Sequence, residues 1–209
     1  MFILGGAAVT EELVQGYKFS RCSYVLSLLR KSVINELFPK TFFEKVKLFK
    51  RDPHSFTPML DGRYLLFGSN AKKNEQEIAK FSTKDAENYQ KFENFLKDMV
   101  EVIKPFIDQK PFTGKINLSW KGIQFLFKLI QHLIKSRNNL LPFYHFLTSS
   151  AATYLDYYFE CEVLKSTLAT DAVIGAMKSP NSLGSAYVLL HHVMGEIDEQ
   201  GSWFYVQVK

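Results

Sequence analysis

The sequence predicts a mostly helical α+β fold. Apolar side chains recur at steps of three and four over residues 83–107, which is the pattern of a long amphipathic helix. Residues 119–136 repeat this pattern. Residues 40–68 alternate in part between apolar and charged side chains, and Asp61-Gly62 precedes an apolar run there. Such a pattern indicates a β-hairpin, so a small β part accompanies the helices.

The composition is that of a folded globular protein. The chain has 209 residues, of which 46% are hydrophobic and 22% are charged. Aromatic residues make up 15%, and nineteen residues are Phe, enough to build a large core or to line an apolar pocket. This composition excludes disorder over most of the chain. No apolar run approaches the length that spans a bilayer.

The two cysteines indicate a reducing compartment and exclude a thiolate metal site. Cys22 and Cys161 lie far apart in the sequence, and neither belongs to a CxxC pair or to zinc-ligand spacing. Two isolated thiols suit an intracellular protein better than a secreted disulfide scaffold. We therefore expect no bound metal.

The net charge of +5 is unevenly distributed. Residues 106–148 contain six Lys or Arg and one acidic residue, Asp108, whereas residues 149–209 are acidic. The basic segment could attract phosphate, an anionic lipid surface or an acidic partner. The alternative is an ordinary solvated face. We expect no nucleic-acid partner.

The N-terminal third is predicted to contain short elements. A turn at Gly16 leads into a strand, and residues 23–34 are predicted to form a helix. Strands follow within residues 40–68, where Pro53 and Pro58 interrupt any continuous strand.

The long helix over 83–107 has a start signal of its own. Ser82 and Asp85 have the spacing of a capping box, with Asp in the place of the usual Glu. Pro105 is expected to end or kink the helix. Its predicted apolar stripe consists of Tyr89, Phe92, Leu96, Met99, Ile103 and Phe106.

Residues 119–136 leave two interpretations open. On a helical wheel the basic side chains cluster within about 60°. The apolar side chains lie on a separate arc. This is the shape of a helix that lies on a membrane surface. It is also the shape of a core-facing helix with a solvated basic face. The basic cluster consists of Lys121, Lys128, His132 and Lys135, and the apolar arc of Ile123, Leu126, Phe127, Ile130, Leu133 and Ile134.

The C-terminal third is predicted to be helical up to a final strand. Helices are expected over 141–147, 151–159, 162–177 and 185–194, with a cap within 148–150 and a strand over 203–207. The sequence shows no internal repeat.

No complete catalytic motif is present. The sequence lacks GxSxG, HExxH, a P-loop and GxGxxG. His191 and His192 are the only adjacent histidines, and on a helix they point about 100° apart, which disfavours a shared metal. A structural role or a place in a pocket wall is the better interpretation.

Five ordered motifs nevertheless resemble one family. They are GGAAVTEE (5–12), GYKFSRCSY (16–24), SFTPML (55–60), LATDAVIGAM (168–177) and SAYVLLHHVMG (185–195). Together they are similar to the phytoene desaturase-like, or carotenoid and retinoid, flavin oxidoreductases, and the resemblance covers essentially the whole chain. It implies an FAD-binding Rossmann-type domain with a substrate domain inserted in it. Residues 1–35 would be a remnant of the FAD domain, 36–200 the helical substrate domain, and 201–209 a strand returning toward the FAD domain.

The resemblance also implies site residues. In the family a glycine pair contacts the flavin nucleotide, and Gly5 and Gly6, followed by Ala7 and Ala8, match it. The aromatic helices would line an apolar pocket for a hydrophobic small-molecule substrate. The candidates for the pocket wall are Tyr187, His191 and His192.

The resemblance further implies the mitochondrial matrix and a protein partner there. The family's βαβ unit with GxGxxG is not in this sequence, and Val208-Lys209 stand where the family has glycines. We therefore expect an internal piece of an FAD oxidoreductase that binds flavin poorly alone, since the pyrophosphate and ribose contacts are not encoded. The alternatives are a non-catalytic interaction or membrane-surface helical module, and a poorly folded product with exposed apolar edges.

Overall fold

The structure, a computed structural model, describes residues 6–22, 25–26, 28–39, 41–107, 120–195 and 203–208. The chain divides into two compact units, each described by itself. One comprises Met1–His54 with Met194–Lys209, and the other Ser55–Val193. The assignment of 1–35 and 201–209 to an FAD domain, and of 36–200 to a substrate domain, stays a prediction. The prediction of a mostly helical α+β protein is confirmed.

The first unit is built on two small antiparallel sheets. Strands β1 (Thr10–Val14) and β2 (Tyr17–Ser20) form a hairpin whose turn contains Gly16 at φ 83°. This positive φ explains why glycine occupies the turn. Strand β3 (Val46–Lys50) pairs with β6 (Phe204–Val208), so that the two chain segments of this unit share one sheet. The strand predicted at 203–207 is thereby confirmed.

The predicted helix over 23–34 is wrong for its described residues before Lys31. The helix in this region is α1 (Lys31–Leu37), followed by the single turn α2 (Phe42–Lys45). Leu26 instead forms an antiparallel bridge with Phe204, through N–H···O bonds of 2.8 and 2.9 Å. A distant strand therefore pairs with Leu26, which local periodicity assigned to a helix.

The second unit begins with the predicted hairpin. Strands β4 (Ser55–Pro58) and β5 (Tyr64–Phe67) pair antiparallel, with Gly62 at φ 85° in the connection. Helix α3 (Ala71–Ala79) follows and was not anticipated from the sequence. Its start is capped by Asn70, whose side chain accepts from the Lys73 N–H at 3.1 Å.

Helix α4 (Thr83–Ile107) is the central element of this unit and confirms the prediction. Pro105 lies within its last described turn. The predicted apolar stripe is buried from Tyr89 to Met99. Beyond Met99 the buried side chain is Val102, while Phe106 is exposed. The side chains that α4 buries are Asp85, Tyr89, Phe92, Leu96, Met99 and Val102.

Helices α5 (Trp120–Lys135), α6 (Arg137–Thr148), α7 (Ala151–Tyr158) and α8 (Glu162–Asp171) complete the unit with a 3-10 helix, Ala186–His192. Ser150 caps α7, as predicted, by accepting from the Thr153 N–H at 3.2 Å. Helix α8 ends six residues before the predicted limit of 177. The chain turns there through Gly175 at φ 71°, a backbone conformation that continues no α-helix.

Aromatic rings fill the interior around α4. The Tyr89 ring stacks on Phe67 with centroids 5.6 Å apart, and Phe92 meets Phe159 edge to face at 5.2 Å. Phe146 is fully buried and meets the Tyr154 ring at 5.0 Å. The abundance of Phe in the sequence therefore serves a packed core in this unit.

Candidate functional site

Gly6, the second residue of the glycine pair, lies in an exposed turn of the first unit. Gly5 lies outside the described residues, and Gly6 begins a 3-10 turn, Gly6–Ala8. Gly6 has φ 54°, and a Cβ placed on it would meet no heavy atom within 4 Å. Ala8 is exposed, and the side chain of Ala7 is not described. The turn therefore offers free backbone that a ligand can approach closely.

The hairpin behind this turn holds it in place. The Val9 N–H donates to the Gly6 carbonyl at 3.3 Å, and the Arg21 N–H donates to the Val9 carbonyl at 3.0 Å. Val9 is buried. The exposed Gly6 turn is thus fixed to β1 and β2 by backbone bonds and by one buried side chain.

The predicted pocket-wall residues lie in the 3-10 helix of the second unit. Ser185 anchors this helix to α7, because its hydroxyl accepts from the Ala151 N–H at 2.8 Å and donates to the Pro180 carbonyl at 2.9 Å. Leu189 and Leu190 face the core, whereas Tyr187 is 41% exposed. The orientation of Tyr187 leaves its ring available to a ligand.

The two predicted groups of site residues belong to different units. Gly6 and Ala8 lie in the first unit, and Tyr187 lies in the second. The side chains of His191 and His192 lie outside the described residues, although their backbones belong to the 3-10 helix. The assignments of all these residues stay predictions.

A buried carboxylate links α4 to the start of α8. Asp85 is fully buried and accepts from the Cys161 N–H at 2.8 Å and from the Glu160 N–H at 3.0 Å. The capping box is confirmed in one half: the Ser82 hydroxyl accepts from the Asp85 N–H at 3.1 Å. The reciprocal bond, from the Ser82 N–H to the Asp85 carboxylate, is not formed, because the Ser82 N–H donates to the Ile78 carbonyl. Sequence spacing could not show this second role of Asp85.

A salt bridge lies on the solvent side of the same link. The Lys84 ammonium lies 2.8 Å from the Glu160 carboxylate. The hydrogen bonds from Lys84 and Ser82 hold the pKa of the Glu160 carboxyl below its usual range. Because this pair is exposed, its contribution to stability is small.

Helix α5 presents most of its predicted apolar arc to solvent. Trp120 is 73% exposed, and Phe127 and Ile134 are each 61% exposed. The half-buried side of the helix is a different arc, which contains Phe125 and Leu129. The core-facing interpretation of 119–136 is therefore wrong for most of this arc. Large exposed apolar patches are uncommon on soluble proteins and mark interaction sites.

The described part of the chain contains no group of three or more His, Cys, Asp or Glu side chains that could hold a metal ion. None of the helices that the structure describes is long and apolar enough to cross a membrane.

Proteins of two rodents are among the known proteins that are similar to this chain. The chain is 46% identical over 219 aligned positions to "Pyridine nucleotide-disulfide oxidoreductase domain-containing protein 2" of Mus musculus. It is 45% identical over the same length to the protein of that name from Rattus norvegicus. Each match covers 98% of this chain and 37% of the relative. The chain therefore spans less than half the length of these relatives, whose names describe an oxidoreductase-type protein. No protein-family model matches the chain.

Proposed function

We propose that this chain, homologous to a segment of pyridine nucleotide-disulfide oxidoreductase domain-containing protein 2, forms part of an FAD-dependent oxidoreductase acting on a hydrophobic substrate. The observation that carries the proposal is the similarity to these relatives along 98% of the chain. From the family resemblance of the five motifs alone, we further propose the mitochondrial matrix as the location and an association with a protein there.

The geometry of the Gly6 turn is compatible with a flavin nucleotide. The turn is exposed, its positive φ is one that glycine adopts without strain, and open space lies where a Cβ would project. A ligand can therefore reach the backbone of Gly6. When bound, the flavin would accept the hydride and its two electrons from the substrate.

The second unit would contribute the substrate-binding surface. The Ser185 hydrogen bonds and the buried Leu189 and Leu190 hold the 3-10 helix in place, and Tyr187 on this helix is 41% exposed. A tyrosine ring offers apolar contact and a hydroxyl that can orient a bound molecule. We assign Tyr187, with His191 and His192, to the surface that contacts the substrate.

Replacing Gly6 by Ala is expected to weaken flavin binding about tenfold, or about 1.4 kcal/mol. The added Cβ would occupy the space through which the nucleotide reaches the backbone. The measurement is a flavin titration of the chain joined, at its N-terminus, to the segment that precedes the matching region in the mouse relative.

Gly16→Ala is the matched control for this titration. Gly16 also has positive φ, 83°, and a Cβ added to it would meet no heavy atom within 4 Å, so the substitution introduces the same kind of backbone strain in the same unit. We expect it to leave flavin affinity unchanged. Equal losses in both variants would mean that strain, and not contact with flavin, causes the effect.

A further inference from the structure

We propose that the exposed face of α5 docks on an anionic membrane surface, with the helix lying in the plane of the lipid headgroups. This proposal does not depend on flavin binding or on catalysis. It rests on the exposure, the shape and the charge of one helix.

The apolar face of α5 forms a continuous stripe along the helix. Its residues recur at steps of three and four, so they lie on one side of about 120°. All of them are at least 44% exposed. The face consists of Trp120, Ile123, Leu126, Phe127, Ile130 and Ile134.

The rest of the helix explains why this stripe remains outside the core. Helix α5 contacts α4 and α6. Its half-buried side contains Phe125, Leu129 and Leu133, which lie on a neighbouring arc. One side of α5 therefore packs against the core of the second unit, and the apolar face remains exposed to solvent.

The positive charge of α5 indicates which partner its apolar face binds. Helix α5 contains no Asp or Glu, and its exposed Lys128 and Lys135 lie beside the apolar face, beyond Gln124 and Gln131. Lysine stems can run along an apolar surface while their ammonium groups reach phosphate oxygens. A helix with an apolar face, a cationic flank and an aromatic residue at its start has the features of an interfacial helix. The exposed Arg137 at the start of α6 adds to the positive charge.

The same charges disfavour a second copy of the chain as the partner. Two α5 helices packed by their apolar faces would bring their lysine flanks together without an acidic residue from either helix. An anionic lipid surface instead attracts each lysine. The occupant that fits both the apolar stripe and the lysines is therefore lipid.

The test is co-sedimentation of the 209-residue chain with vesicles. We expect binding to vesicles of phosphatidylcholine and phosphatidylglycerol in equal parts, and at least about tenfold weaker binding to phosphatidylcholine alone. Raising the salt concentration should weaken the binding, because the lysine contacts are screened. In a Trp203→Phe variant, the fluorescence of Trp120 should shift to the blue as the helix enters the interface.

Two double variants separate the apolar and the charged contributions. Phe127→Gln with Ile130→Gln should weaken binding to the anionic vesicles at least about tenfold, because both side chains lose their apolar contact without adding charge. Lys128→Glu with Lys135→Glu should weaken it to a similar extent. Both pairs are exposed, so the helical circular dichroism should not change.

The matched control for the apolar variant is Leu60→Gln with Met177→Gln, since both residues are fully exposed apolar side chains outside α5. This control should bind like the unchanged chain. The proposal is overturned if the folded chain binds no anionic vesicles at low salt, or if the control loses binding as strongly as the α5 variants. It is also overturned if the chain forms dimers through α5 and ignores the vesicles.

Discussion

Replacing Asp85 by Ala is expected to lower the free energy of unfolding by about 3 kcal/mol. The carboxylate is fully buried and accepts from the backbone N–H groups of Glu160 and Cys161. Its removal leaves these donors without their acceptor and separates α4 from the segment that begins α8. Urea denaturation followed by helical circular dichroism measures the change.

Two companion variants test this explanation. Asp98 lies on the same helix but is exposed, so Asp98→Ala should change the free energy of unfolding by less than about 0.5 kcal/mol. Asp85→Asn keeps the shape of the side chain but offers only one acceptor oxygen, and should be intermediate. If Asp85→Ala were as stable as Asp98→Ala, the link between α4 and the start of α8 would not contribute to stability.

Replacing Phe146 by Ala is expected to cost about 3–5 kcal/mol of the free energy of unfolding. The Phe146 side chain is fully buried and meets the rings of Phe95 and Tyr154 edge to face, at 5.4 and 5.0 Å. The substitution removes these contacts and leaves a cavity between α4, α6 and α7 that the backbone cannot fill. Thermal and urea denaturation measure the loss.

Tyr144 provides the control on the same helix. Its ring is 61% exposed, so Tyr144→Ala removes an aromatic side chain without opening a cavity. Its effect on stability should be much smaller than that of Phe146→Ala. Comparable losses for the two variants would contradict the placement of Phe146 in the core.

The elements that the sequence predicts well are those with a local signal. Helix α4 has a cap and a repeating apolar stripe, and the β4–β5 hairpin has Gly62 in its connection. The prediction of a helix at Leu26 failed because the backbone partner of Leu26, Phe204, is distant in the sequence and no local pattern reveals it. Helix α3 was missed because Ile78 is its only buried apolar side chain.

The candidate site likewise contains features that the sequence predicts and features that only the structure shows. The glycine turn and the exposed Tyr187 were found through the motifs that resemble a family, because local spacing does not distinguish a ligand-binding turn from an ordinary one. The amphipathic shape of α5 was evident from the sequence, but not which of its arcs meets the core. Only the structure shows that Phe127 and Ile134 face solvent. The second role of Asp85 likewise depends on a contact 75 residues away.

The FAD content of a purified extended protein tests the proposed function most directly. The protein is this chain joined to the segments that flank the matching region in the mouse relative, and the measurement is the flavin released on denaturation. We expect about one FAD per chain, in keeping with a single nucleotide site, and little from the 209-residue chain alone. An extended protein that is folded, yet neither carries FAD nor binds added FAD, would contradict the assignment of this chain to a flavin oxidoreductase.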